Sequence, residues 1–168
     1  MLQTIPQMVF DRIERFDQRP VMRQKRNGHY QDISWRTLGK QVDRFAAALL
    51  ACGIKPEQQV AILTPNCPEW AYADLAIMSI RCRTVPIYHT EGIKTILRIL
   101  ADSLCRLLFI HSQQLAEDIF NRQQSCPLQQ KIVLLQGESP LPDILSLADF
   151  LSLAESGHFG EVKQLRKA

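Results

Sequence analysis

Two histidines stand where strands are expected to end. His89 follows Thr84-Val-Pro-Ile-Tyr88 and His111 follows Arg106-Leu-Leu-Phe-Ile110. An imidazole in such a place could exchange a proton near neutral pH or contact a substrate. Neither has a partner at a spacing diagnostic of acid–base work, so a solvated loop histidine is the simpler reading of each. In an open parallel sheet, ligands bind beyond the carboxyl ends of the strands. Tyr88, His89 and Thr90 together therefore form the candidate substrate- or cofactor-binding loop, although Thr90 is also placed to cap the next helix. Asn66 and Glu69 could pair an amide with a carboxylate, but their spacing is that of a helix capping box. Arg81 and Arg83 could meet a phosphate, yet basic residues at a helix end also offset its dipole. No residue is assigned as catalytic and none as a metal ligand.

Several signatures are missing. Glycines fall at 28, 39, 53, 92, 137, 157 and 160, so neither GxGxxG nor GxxxxGK[ST] occurs. The cysteines Cys52, Cys67, Cys82, Cys105 and Cys126 form no CxxC and lie in or beside apolar segments. They read as free thiols in a reducing compartment. A net charge of +3, with cations scattered among 17 acids, leaves no basic stripe for nucleic acid. No basic region followed by a long apolar run marks a signal peptide, and no apolar run approaches the ~20 residues of a membrane-spanning helix. With 168 residues, 46% hydrophobic and 22% charged, a single folded domain is expected.

The elements that must position these residues are legible from periodicity. Val60 to Leu63 is a short apolar run, as for a strand buried on both faces. Asn66 is expected as an N-cap, Pro68 falls in the first turn, and Trp70, Ala73, Ile77 and Ile80 recur at helical spacing. Val85, Ile87 and Tyr88 return to a β-type run, which completes a βαβ unit. Upstream, residues 4–16 form an amphipathic helix with Ile5, Met8, Val9, Ile13 and Phe16 on one side. Asn27-Gly28 joins Val21–Lys25 to His29–Ile33 as a hairpin. Ser34 caps a helix carrying Trp35, Leu38, Val42, Phe45, Leu49 and Leu50, closed by Gly53. Downstream, helices begin near Thr90 and Ser112, strands cover Arg106–Ile110 and Lys131–Leu135, and Ser146 with Asp149 opens a short helix ending near Gly157. The organisation is an N-terminal helix over 1–20, a β-hairpin over 21–33, an α/β subdomain over 34–156 and a polar tail over 157–168. The fold class is α/β, a mostly parallel sheet with helices on both faces.

Val60-Ala-Ile-Leu-Thr-Pro-Asn-Cys-Pro-Glu-Trp-Ala-Tyr-Ala-Asp-Leu-Ala, followed by Arg83-Thr-Val-Pro-Ile-Tyr-His-Thr90, resembles the N-terminal region of AMP-forming acyl-CoA synthetases. The long-chain fatty-acid CoA ligases are the nearest branch. Asp32-Ile-Ser-Trp-Arg-Thr-Leu, Ile96-Leu-Arg-Ile-Leu-Ala-Asp-Ser and Arg106-Leu-Leu-Phe-Ile110 fit the same pattern in order, covering roughly residues 8 to 155. The resemblance implies the first part of the large domain of the adenylate-forming fold. The complete enzyme uses ATP, Mg2+ and CoA to make acyl-CoA through an acyl-adenylate. It also implies that the loop at Tyr88, His89 and Thr90 borders the active-site side, although His89 stands where many relatives carry Pro or Ala.

The family's Ser/Thr/Gly-rich phosphate loop ending in Pro-Lys-Gly is absent, as is the C-terminal domain with its adenylation lysine. This chain alone is therefore expected to be inactive and to bind none of those cofactors tightly. Its expected partner is the downstream part of the same enzyme, and its fatty-acid substrate belongs to the whole. Homo-oligomerisation and peripheral contact at the inner face of a membrane stay open beside a cytoplasmic location. So do a different carboxylic acid substrate and a non-catalytic, partner-binding role.

Overall fold

A computed structural model describes residues 4–123 and 131–167. Helix α1 (Ile5–Phe16) opens with a capping box: Thr4 Oγ1 accepts from the Gln7 backbone N–H, and Gln7 Oε1 accepts from that of Thr4. Strands β1 (Pro20–Arg26) and β2 (His29–Ser34) form an antiparallel ribbon turned at Asn27 and Gly28, both with positive φ. Ser34 caps α2 (Trp35–Ala51), its Oγ accepting from Thr37 N–H at 3.2 Å.

Then come β3 (Gln59–Leu63), α3 (Pro68–Ser79), β4 (Arg83–Pro86), α4 (Ile93–Asp102), β5 (Leu107–Ile110), α5 (Gln113–Gln123) and β6 (Lys131–Leu134). A short strand β7 (Ile144–Ser146) leads directly into α6 (Leu147–Ser152), a 3-10 turn over Leu153–Ser156 and α7 (Phe159–Lys167).

The five strands β3 to β7 make one parallel sheet in the order β4-β3-β5-β6-β7. Side-chain alternation gives it two apolar faces. Val60, Ile62, Leu107, Phe109 and Val133 pack with α2, α3, α6 and α7, while Ala61, Leu63, Leu108, Ile110, Ile132 and Leu134 pack with α4 and α5. The expected α/β architecture, with helices on both faces and a leading helix and hairpin, is therefore what the chain adopts. Nine of the seventeen residues of α2 are buried, Ala46, Ala47 and Ala48 among them, because this helix has neighbours on nearly every side. Gly39 belongs to that packing: a Cβ there would stand 3.0 Å from Ile13 Cδ1 of α1.

Four local expectations change. Helix α3 is capped by Cys67, in extended backbone at φ −149° and ψ 163°, with no side-chain cap bond. Pro68 causes this, since the residue before proline is driven out of the helical region, which leaves Asn66 one step outside the cap. Helix α4 starts from Gly92, whose carbonyl accepts from Thr95 and Ile96, so Thr90 lies too far upstream to cap it. Strand β7 was not expected from its three residues. The stretch 157–168, read as a polar tail, carries α7 with Val162 fully buried.

Helix α7 is held by Arg166, whose Nη2 donates to Asp43 Oδ1 at 2.5 Å and whose Nε donates to Ser79 Oγ at 3.3 Å. Its guanidinium lies 3.3 Å from the centre of the Phe10 ring, and Gln7 Nε2 donates to the Arg166 carbonyl. One side chain thus ties α7 to α1, α2 and α3. Arg166→Gln is expected to lower unfolding free energy by about 2 kcal/mol, read from the urea midpoint, because Asp43 loses its partner in a half-buried site. Leu104 adopts φ +53° just after α4 and is 59% exposed. Glycine carries no Cβ penalty there, so Leu104→Gly is expected to raise stability by about 0.5–1 kcal/mol in the same measurement.

Candidate functional site

The strand order creates a switch point. From β3 the chain crosses to β4 through α3 on one face, and from β5 it crosses to β6 through α5 on the other. The crevice of such a sheet opens between the carboxyl ends of the two strands where the crossovers diverge. Here these are β3 and β5, which bring the loop Thr64-Pro65-Asn66-Cys67 beside His111 and Ser112. Thr64 is buried; its Oγ1 donates to the Pro65 carbonyl at 3.1 Å and lies 3.7 Å from Cys67 Sγ. Ser112 caps α5, its Oγ accepting from Leu115 N–H at 3.3 Å. Asn66 is exposed at the loop tip and His111 is half-buried.

The loop Tyr88-His89-Thr90 ends β4, the edge strand beside β3 and one strand out from the switch point. Pairing with β3 continues just past Pro86, because Ile87 N–H donates to the Ile62 carbonyl at 2.9 Å. The chain then turns through a bond from Glu91 N–H to the Tyr88 carbonyl. Tyr88 is 78% exposed, and His89 and Thr90 are exposed too. None of these three side chains, nor that of His111, has a hydrogen-bond or ion-pair partner among the described residues. The structure therefore places the two histidines on the same edge of the sheet but joins them to no acid or nucleophile.

Charge is divided between the two ends of the sheet. Between each strand and the element that follows it there is no Lys or Arg: the segments are 64–67, 87–92, 111–112 and 135–143. The cations that flank the strands lie at the amino ends, while at the carboxyl edge Lys94 stands exposed in the first turn of α4. Arg81 and Arg83 precede and begin β4, Arg106 precedes β5, and Lys131 begins β6. Arg83 is paired with Glu57, and Lys131 Nζ donates to the Cys52 carbonyl at 2.7 Å. Arg81 and Arg83 thus stand at the opposite end of β4 from the candidate loop and cannot serve a phosphate bound there. Among the described residues no cluster of three or more His, Cys, Asp or Glu could hold a metal ion. These loops carry the carboxylates Glu91, Glu138 and Asp143 in no metal-holding cluster and no Lys or Arg, so by themselves they do not offset the charge of a triphosphate and give no step of such chemistry.

The sequence places Thr64-Pro65-Asn66, Tyr88-His89-Thr90 and His111-Ser112 at strand ends but does not say which of them are adjacent. Thr64 and His111 become neighbours only through the β3–β5 pairing, and strand order leaves no local signal in the chain.

Comparison with known proteins gives the family to which this architecture belongs. Residues 9–156 match the AMP-binding enzyme family, and the chain belongs to that family. It is 28% identical over 134 residues to the long-chain-fatty-acid–CoA ligase FadD15 of Mycobacterium bovis, covering 79% of this chain and 22% of that protein. It is also 28% identical over 121 residues to a 3-hydroxybenzoate–CoA/4-hydroxybenzoate–CoA ligase of Thauera aromatica, covering 71% and 23%. The chain thus spans about a fifth of the length of these curated relatives. The N-terminal domain of FACL13 from Mycobacterium tuberculosis superposes with a TM-score of 0.69 at 16% identity, over 92% of this chain and 36% of that one. The anthranilate CoA ligase AuaEII, solved with anthranoyl-AMP, gives 0.66 at 24% identity over 73% and 23%.

Burial keeps the described thiols near this framework in their protonated form, Cys67 from a half-buried position. Burial is the main cause that pushes Cys52, Cys67, Cys82 and Cys105 above the ordinary thiol value, Cys82 to about 11. Cys82 Sγ also donates to the Lys55 carbonyl at 3.1 Å. Cys126 lies outside the described residues. Peptide mapping after iodoacetamide treatment at pH 8 is expected to find these four unmodified in the folded protein and modified after urea. A thiol whose folded pKa is raised from 9.0 to about 11 contributes stability below pH 9 that is lost as pH climbs through 11. The urea midpoint should therefore fall across that window, and fall less in Cys82→Ala.

Proposed function

We propose that this chain forms the first part of the large domain of a CoA ligase for long-chain fatty acids. In the assembled enzyme, fatty acid, ATP and CoA yield acyl-CoA, AMP and diphosphate through an acyl-adenylate. The observation that carries this reading is the family match along residues 9–156, joined to relatives whose names specify long-chain fatty acids. The chain contributes scaffold and one wall of the site, with Tyr88, His89 and Thr90 on the rim that faces substrate or cofactor. Its location in this reading is cytoplasmic, with peripheral contact at the inner face of the membrane where the acyl chains reside.

Adenylation holds a carboxylate and a triphosphate in line, two anions whose approach needs cationic and N–H donors. Since the strand-end loops hold no Lys or Arg, those donors, and the sites for ATP, Mg2+ and CoA, belong to segments beyond this chain. A second reading, an aryl carboxylate as substrate, draws on the Thauera aromatica relative matched at the same identity. The two readings share the scaffold and differ in a pocket built mainly elsewhere.

Calorimetry on the 168-residue chain with Mg2+ and ATP, and then with an acyl-AMP analogue, is expected to show no binding. Micromolar binding of either would overturn the assignment of the nucleotide site to the missing segments. A Ser/Thr/Gly-rich segment ending in Pro-Lys-Gly in the DNA downstream, in frame or displaced by a frameshift, is the companion expectation. Its absence would favour a non-catalytic module that binds a partner.

A further inference from the structure

A cleft of about 320 Å³ lies beneath the β1–β2 hairpin, between its inner face and the helices α2, α3 and α6. Gln24 and Gln31 face each other across the ribbon and form the roof, with Gln41 of α2 on the wall. The floor is apolar: the half-buried Leu147 and Leu151 of α6, over the fully buried Phe45.

The charges along this cleft cancel. Arg26 and Glu69 stand 4.0 Å apart at the outer end, and the Asp32 carboxylate is engaged by Arg23 Nε at 2.7 Å. An anion would have to displace Glu69 and a cation would have to displace Arg26, so the field selects against both. What is left to bind a ligand is neutral: the hydroxyls of Thr37 and Tyr72 and, above all, the side-chain amides. Gln24 Oε1 accepts from Arg26 Nε at 2.8 Å, which leaves its NH2 free. The side-chain amides of Gln31 and Gln41 have no partner among the described residues. Each offers one acceptor and two donors, the complement of another amide. A concave site with an apolar floor and a few convergent polar groups is the usual form of a small-molecule pocket, and this volume suits roughly ten to fifteen non-hydrogen atoms.

We propose that the cleft under the hairpin binds a small uncharged molecule built of an apolar ring or branched chain and an amide head, the body on Leu147 and Leu151 and the amide against Gln31 and Gln41. The site is separate from the ligase reading: a chain that ignores ATP would leave it untouched.

The test is 1H–15N NMR titration of the full chain with acetanilide, an uncharged phenyl amide, against benzoate and benzylammonium, which keep the ring and carry a charge. The expected result is saturable shifts confined to the Gln31 and Gln41 side-chain amides and the backbone around Phe45, Tyr72 and Leu151, with both charged analogues at least tenfold weaker. Gln31→Leu, at an exposed strand position, is expected to weaken acetanilide about tenfold, and Gln41→Trp, which fills the cleft, to abolish binding. Circular dichroism establishes that each variant is folded, and should Gln41→Trp unfold, Gln31→Leu alone decides. Shifts that scatter without saturating, charged analogues that bind as tightly, or full affinity in Gln31→Leu would each overturn the proposal.

Discussion

The ring of Phe45 is the point on which four elements converge. It lies 5.8 Å from Phe109 of β5, 5.7 Å from Phe150 of α6 and 6.1 Å from Tyr72 of α3, while Phe109 and Phe150 meet edge to face at 5.3 Å. A parallel sheet has to be covered on both faces, and on this face the cover is a second layer of helices with α2 at its centre. Phe45 joins that helix to the strand below and to the helices on each side. Tilted and edge-on pairs of this kind add directional preference to the loss of apolar area, so the cluster sets the angle at which α6 and α3 lie on α2. The hairpin, α1 and α7 then pack outside this layer.

The division of charge follows from the same topology. In a parallel α/β layer the helices run opposite to the strands, so their carboxyl ends gather at the amino edge of the sheet. Each such end carries about half a negative charge; Arg122 lies in the last turn of α5 and Arg81 two residues past the end of α3. The opposite edge gathers helix amino ends with their first-turn N–H groups; its strand-end loops hold no Lys or Arg, and Lys94 stands in the first turn of α4. That edge can orient an anion through N–H groups and hydroxyls but cannot neutralise a triphosphate. A family member that spans about a fifth of its relatives' length, and whose strand-end loops hold no Lys or Arg, is consistent with one wall of a larger site.

The architecture was legible because its signals are local. The βαβ pattern, the Asn27-Gly28 turn, and the caps at Ser34, Ser112 and Ser146 each rest on residues within a few positions of one another. Failures came where a neighbouring residue or a distant contact outweighed the local signal. Pro68 moved the α3 cap from Asn66 to Cys67, and Gly92 displaced Thr90 at α4. The segment after Gly157 has weak periodicity of its own, and it is helical because Val162 is buried and Arg166 reaches Asp43, 123 positions earlier. Helices this short draw most of their stability from such packing, which no window of sequence contains.

The sequence by itself determined which segments are strands and helices, that the sheet is parallel and covered on both faces, and that the chain resembles the start of an acyl-CoA ligase. Apolar periodicity and capping are short-range, and they survive in any reading of the chain. Only the tertiary structure decided that β3 lies between β4 and β5, and with that order the crevice opens at Thr64 and His111 with Tyr88–Thr90 one strand further out. It likewise decided that Arg81, Arg83, Arg106 and Lys131 stand at the far end of the sheet and that three glutamines line one cleft under the hairpin. Strand order and interhelical contacts depend on which apolar faces pair across tens of residues. Many pairings satisfy the same local pattern, and the packing of the whole core selects one.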